Sequence, residues 1–181
     1  MEARCRPLVP FLRPPGALRA SAHGHGGADA YEFWRSTVFY NFEADPPDRE
    51  ASGGFSARLR GLISRKVEFY DYESSALSGR RTRAHIAAGS TEELDIGLVV
   101  QGCRRSRDDN GDDDAVIGPG EFFTYNSAQP CLVEWDHHRA AHLSFNRGDL
   151  KAALGFEVRR SGISRRRCAR PALPPSCAAS F

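Results

Sequence analysis

The sequence predicts a mainly β fold, a sandwich or barrel of short strands with one helix before it and one after. Short runs that alternate apolar and polar residues recur between Phe55 and Phe145. Turn signals at Gly53-Gly54, Asn110-Gly111 and Gly118-Pro119-Gly120 punctuate them, at the roughly ten-residue spacing of antiparallel β proteins. Asn110-Gly111 is the strongest local signal. Both central positions of a type I′ turn need positive φ, which Asn and Gly accept at low cost.

Residues 1–28 are rich in Pro, Arg, Gly and Ala and lack periodicity, so they read as a disordered arm. Their longest apolar run, PLVPFL, is cut off by Arg13-Pro14-Pro15, too short for the core of a secretory signal. A helix is expected from Asp29, which caps it with Glu32 as the partner of a capping box. Trp34, Val38 and Phe42 then fall one turn apart on one face, with Tyr31 beside them. Asp45-Pro46-Pro47-Asp48 stops it, because the residue before proline resists the α conformation.

Short strands follow. FSARLRGLIS sets Phe55, Ala57 and Leu59 against Ser56, Arg58 and Arg60, and VEFYDYES continues likewise. RRTRAHIA leads to a polar break over 88–93. LDIGLVVQGC places Leu94, Ile96, Leu98 and Val100 on one face. A hairpin through Asn110-Gly111 is expected to join the strand near Val99 to AVIG at 115–118. EFFTYN, CLVEW and AAHLSF are three more strands, and RGDLKAALG at 147–155 is a short helix leaving the barrel. Beyond it, residues 156–181 carry no apolar face and read as a disordered basic tail.

The net charge of +2 hides an asymmetry. Residues 31–155 hold 15 basic and 20 acidic side chains, a balance of −5, while residues 156–181 hold 6 and 1, a balance of +5. An acidic body with basic ends is a poor nucleic-acid surface. The five cysteines have no C-x-x-C pair; Cys103 and Cys131 read as buried core thiols, and a reducing, cytoplasmic location is the simpler expectation. No apolar run approaches the length that spans a bilayer.

Metal-holding barrels often follow a Pro-Gly turn with a histidine, and here Cys131 and Leu132 follow. His85 stands alone, and His138 and His142 are four apart in a segment that reads as an edge strand, where they do not converge. DDNGDDD at 108–114 lacks carboxylates at both ends of a calcium loop and reads as a solvated hairpin tip. No nucleophile elbow or phosphate loop occurs. No metal and no cofactor is therefore expected. The remaining candidates are the aromatics Phe122, Phe123, Tyr125, Trp135 and Phe145, most of them core. Phe123, Tyr125 and Trp135 are the candidates for lining a small-molecule cavity, with Thr124, Tyr125 and Asn126 as possible polar groups.

YEFWRSTVFYNF, FSARLRGL, RRTRAHIA, LDIGLVVQG, the NGD turn and GPGEFFTYNSAQP, in that order, resemble the N-terminal domain of AraC-type transcription regulators over residues 29–155. The resemblance implies a cupin-like jelly-roll barrel that senses an unidentified small-molecule effector or mediates dimerisation. In that family Pro119-Gly120 is a corner of the barrel, which persists without a metal. Such regulators continue through a linker helix into two helix-turn-helix units, and residues 156–181 match neither. The expectation is thus a truncated regulator, its tail read in another frame. It would bind no DNA specifically by itself and no membrane, and would pair with itself or with intact relatives. The alternative is a small metal-dependent cupin-type enzyme.

Overall fold

A computed structural model describes residues 16–22, 27–45, 54–64, 66–89, 93–108 and 114–156. Two antiparallel sheets face each other. The first runs β1 (Gly16–Ser21), β3 (Ala57–Ile63), β4 (Val67–Ser74), β11 (His138–Asn146), β6 (Glu93–Gln101), β9 (Phe122–Asn126). The second runs β2 (Glu43–Ala44), β5 (Leu77–Arg81), β10 (Cys131–Trp135), β7 (Arg104–Asp108), β8 (Asp114–Ile117). Spatial neighbours that are distant in sequence, β4 beside β11 and β5 beside β10, give the jelly-roll connectivity expected of a mainly β barrel.

The alternation in FSARLRGLIS behaves as expected: Ala57, Leu59, Gly61 and Ile63 of β3 are buried between exposed or half-buried neighbours. The helix α1 (Gly27–Thr37) is real but shorter than expected. Asp29 lies inside its first turn, not at its cap, and Phe42 is not on it. Thr37 ends the helix, and residues 38–42 turn across the barrel mouth, with Val38 N–H and Phe39 N–H both donating to Trp34 O. Trp34 itself is fully buried against Tyr72, its ring centroid 5.5 Å away.

Several expectations need correction. Residues 16–21 of the supposedly disordered arm form β1, in register with β3 from Gly16↔Ile63 to Ser21↔Arg58. Edge-strand addition is held by backbone hydrogen bonds, so it leaves little apolar signature. The hairpin leading to β8 starts from β7, not from the strand near Val99. β6 turns first at Gly102, whose φ of 76° is open to glycine. Asn110-Gly111 lies outside the described residues, as do 1–15 and 157–181. RRTRAHIA divides between β5 and a short helix α2 (Arg83–Ala88). His85 is its N3 residue and closes a capping box with Thr82.

The sequence left open which way the shared face of β6 points, and the structure turns most of it outward. Ile96 is 37% and Val100 46% exposed, so the face points out from Ile96 onward, while Leu94 at its start is buried. Glu93, Asp95, Gly97 and Val99 point in. The outward face joins a cross-strand row, Leu62↔Phe69↔Leu143↔Ile96, that crosses β3, β4, β11 and β6. All four are exposed.

The Gly118-Pro119-Gly120 turn is the corner expected of it. Glu121 N–H donates to Gly118 O at 3.1 Å, with Pro119 at the second position and Gly120 (φ 82°) at the third, the pattern of a type II turn. It carries the chain from β8 in one sheet to β9 in the other. After β11, Asn146 caps α3 (Arg147–Leu154) by accepting from Gly148 N–H and Asp149 N–H, and Gly155 closes it in the left-handed region. No residue of α3 is buried, as expected of a helix leaving the barrel.

Candidate functional site

Strand parity decides what faces the barrel interior. Across the larger sheet, two rows of directly paired residues point inward. One is Tyr70↔His142↔Gly97↔Phe123 and the other is Glu68↔Ser144↔Asp95↔Tyr125. From the smaller sheet Arg104 and Trp135, also direct partners, face them. Residues 38–42 close the remaining side. The cavity, which is partly open to solvent, measures about 180 Å³, larger than the roughly 150 Å³ that accommodates a benzene-sized molecule.

Gly97 shapes this space. A Cβ there would stand 2.0 Å from Phe123 Cζ, so only glycine lets the Phe123 ring lie back across β6. The ring then meets His142 edge-on, centroids 5.2 Å apart, and the Arg104 guanidinium sits 4.2 Å from its centre. Trp135 packs edge-on against Tyr72 at 5.7 Å, and its indole N–H donates to Ser74 Oγ at 2.8 Å. The aromatic wall is therefore held from behind by its own contacts.

The polar groups set into that wall are poorly satisfied by the protein. Asp95 Oδ1, Arg104 Nε, the Tyr125 hydroxyl, both His138 ring nitrogens and His142 Nε2 are buried with no hydrogen-bond partner. Burial drives the Asp95 carboxyl up to about 6, against the pull of the Ser144 hydroxyl and the Arg104 charge. Glu93 rises to about 8, chiefly by burial and then by the charge of Asp95. His138 and His142 are pushed down to about 3, by burial first and by Arg104 second, so both rings are neutral at pH 7. Burial also lowers Arg104 and raises Tyr125 well above its ordinary value. Buried polar atoms are paired in nearly all native interiors, so a cluster facing one cavity calls for an explanation.

Phe123, Tyr125 and Trp135, the three aromatics picked out from the sequence, all line this cavity. Thr124 and Asn126 do not; Asn126 Oδ1 instead accepts from Arg147 at 2.8 Å. Phe122 points outward. The sequence reading missed Arg104, Asp95, Glu93, His138 and His142. The two histidines are not on an edge: β11 is central in its sheet, and Tyr72 stands between their rings at 6.3 and 6.0 Å. Among the described residues no group of three or more His, Cys, Asp or Glu is placed to hold a metal ion. Cys103, read as a core thiol, is disulfide-bonded, whereas Cys131 is free. No described helix is long and apolar enough to cross a membrane.

Among solved structures, the chain is similar to the AraC-like transcriptional activator CuxR, with a TM-score of 0.66 and 19% identity over 77% of this chain. The barrel shares the fold of the matched part of CuxR. The matched region spans 51% of CuxR, about half its length. The cupin domain of Schizosaccharomyces pombe Cnp3 is similar at a TM-score of 0.41 and 7% identity, covering 55% of this chain and 72% of that one. KdgF from Halomonas sp. is similar at 0.39 and 15%, covering 57% and 86%. No family model matches the chain, and no curated protein matches it.

Proposed function

We propose that residues 29–155 are the effector-sensing and dimerisation domain of an AraC-type transcription regulator, a receptor and not an enzyme. The observation that carries this reading is the aromatic cavity with unpaired polar atoms on several strands. Ligand sites combine an apolar lining with a few convergent polar groups, and that is its composition. Phe123, Tyr125 and Trp135 are proposed as ligand contacts. The likeness to CuxR lends the regulatory context.

The apolar row Leu62, Phe69, Leu143 and Ile96 on the outer face supports pairing with a second copy or with an intact relative. Specific DNA contact is assigned to such a partner's helix-turn-helix units, and the chain alone is proposed not to bind DNA specifically. A cytosolic location fits a regulator, although the Cys103 disulfide removes the free-thiol argument for a reducing compartment.

The test is a thermal-shift screen of small sugars, acids, amines and phenols against the wild type and Val133→Phe. Val133 is 1% exposed and lines the cavity, so phenylalanine there projects into it. At least one compound class should raise the wild-type melting temperature and leave a folded Val133→Phe unmoved. If no class does so, or if the variant responds equally, the cavity is not a receptor site. A gel-shift with DNA upstream of the gene checks the second part, and a sequence-specific complex formed by this chain alone would refute it.

A further inference from the structure

Arg104 is the feature of the cavity that a neutral ligand leaves unexplained. Other arginines of the barrel are paired at its surface: Arg58 with Glu73 at 2.6 Å, Arg105 with Asp114 at 2.6 Å, Arg139 with Asp71 at 2.9 Å. Arg104 is 6% exposed, and among the described residues it makes no ion pair and its side chain no hydrogen bond. Its contacts are the faces of Phe123 at 4.2 Å and Trp135 at 5.5 Å. Packing over the aromatic faces keeps the guanidinium in the cavity wall and leaves its N–H donors for a planar acceptor. A carboxylate accepts such a fork with two parallel bonds.

The rest of the cavity sets the orientation and size. Asp95 and Glu93 lie along β6; the Asp95 carboxylate repels an anion and the protonated Glu93 attracts none, which assigns the ligand carboxylate to the Arg104 side and leaves polar substituents for the β6 side. The rings of Tyr72, Trp135 and Phe39 line the same cavity, with T-shaped contacts of Trp135 to both others. The volume of about 180 Å³ admits one ring.

We propose, resting on the receptor reading of this cavity, that its ligand is a small single-ring carboxylic acid whose carboxylate pairs with Arg104. The experiment titrates benzoate, benzamide and benzyl alcohol into the full chain, by calorimetry, for the wild type, Arg104→Gln and Arg104→Lys. Benzoate should bind the wild type at least about tenfold more tightly than either neutral analogue, the value of a charge-assisted pair in a desolvated site. Arg104→Gln should bind benzoate and benzamide alike, and Arg104→Lys should retain part of the preference. Unchanged benzamide affinity in the glutamine variant shows that the cavity is intact. Equal binding of benzoate and benzamide by the wild type, or a benzoate preference that survives Arg104→Gln, overturns the carboxylate assignment and leaves the receptor reading standing. Binding of none of the three overturns the single-ring acid, while the receptor reading is decided separately by the wider screen against Val133→Phe. If the variants fail to fold, the wild-type comparison of acid with amide still decides.

Discussion

Replacing Arg104 with methionine should make the ligand-free protein more stable. Arg104 carries its charge into the barrel interior without an ion pair among the described residues, and a desolvated charge costs several kcal/mol. Two terms offset that cost. The Phe123 face at 4.2 Å returns about 1–2 kcal/mol as a cation–π contact. Asp95 acts electrostatically from across the cavity without touching it. Methionine keeps the unbranched stem against both rings and removes the charge. The net expectation is a gain of about 1–2 kcal/mol, as for other buried ions replaced by apolar residues. For a chain of this size that is a rise in melting temperature of about 3–6 °C, read by circular dichroism at pH 7 and checked by urea unfolding. A loss of about 2 kcal/mol or more would refute the reasoning, because it would make Arg104 a satisfied structural group and not a waiting ligand contact.

Gly97→Ala sets a Cβ 2.0 Å from the Phe123 ring and should cost about 1–3 kcal/mol in urea unfolding, part of it recovered by Phe123→Leu in the same chain. Ser74→Ala strips the Trp135 indole N–H of its buried acceptor and should cost about 1–2 kcal/mol, with a changed tryptophan emission spectrum. Stability should fall above about pH 6.5: the folded protein holds the Glu93 proton up to about pH 8, which the unfolded chain has released, so the slope is at most about 1.4 kcal/mol per pH unit, and Glu93→Gln should flatten that limb. From pH 6.5 down to about 5 the curve should be nearly level, because the protons that the unfolded chain takes up on His138 and His142, which the fold keeps neutral down to about 3, are matched by those that the folded Glu93 and Asp95 carboxyls hold. Sedimentation should show a dimer that Phe69→Glu with Leu143→Glu dissociates, and a monomeric wild type would remove the dimerisation role.

Legibility in the sequence followed the strength of local periodicity. FSARLRGLIS could be read correctly because arginines mark its outer face without ambiguity. LDIGLVVQ could not, since it is apolar on both faces: the packed interior takes Gly97 and Val99, and the exposed row takes Ile96. Asp95 was the available signal, a carboxylate inside an apolar strand and in phase with Gly97. Phe123, Tyr125 and Trp135 emerged because aromatic strands near a barrel corner are natural pocket walls. Arg104 did not, because in GCRRSR it looks like its exposed neighbours Arg105 and Arg107, and only pairing opposite Trp135 turns it inward. The strand β1 was hidden for a related reason, being built from backbone pairing to β3.

The receptor claim is met most directly by a high-resolution crystal structure of the chain soaked in turn with the sugars, acids, amines and phenols of the screen. A receptor cavity predicts density between Trp135 and Phe123, with ligand atoms in hydrogen-bonding reach of Arg104, Tyr125 and Asp95. Ordered waters pairing those same atoms, undisturbed at every soak, would contradict it and make the cavity a hydrated structural core.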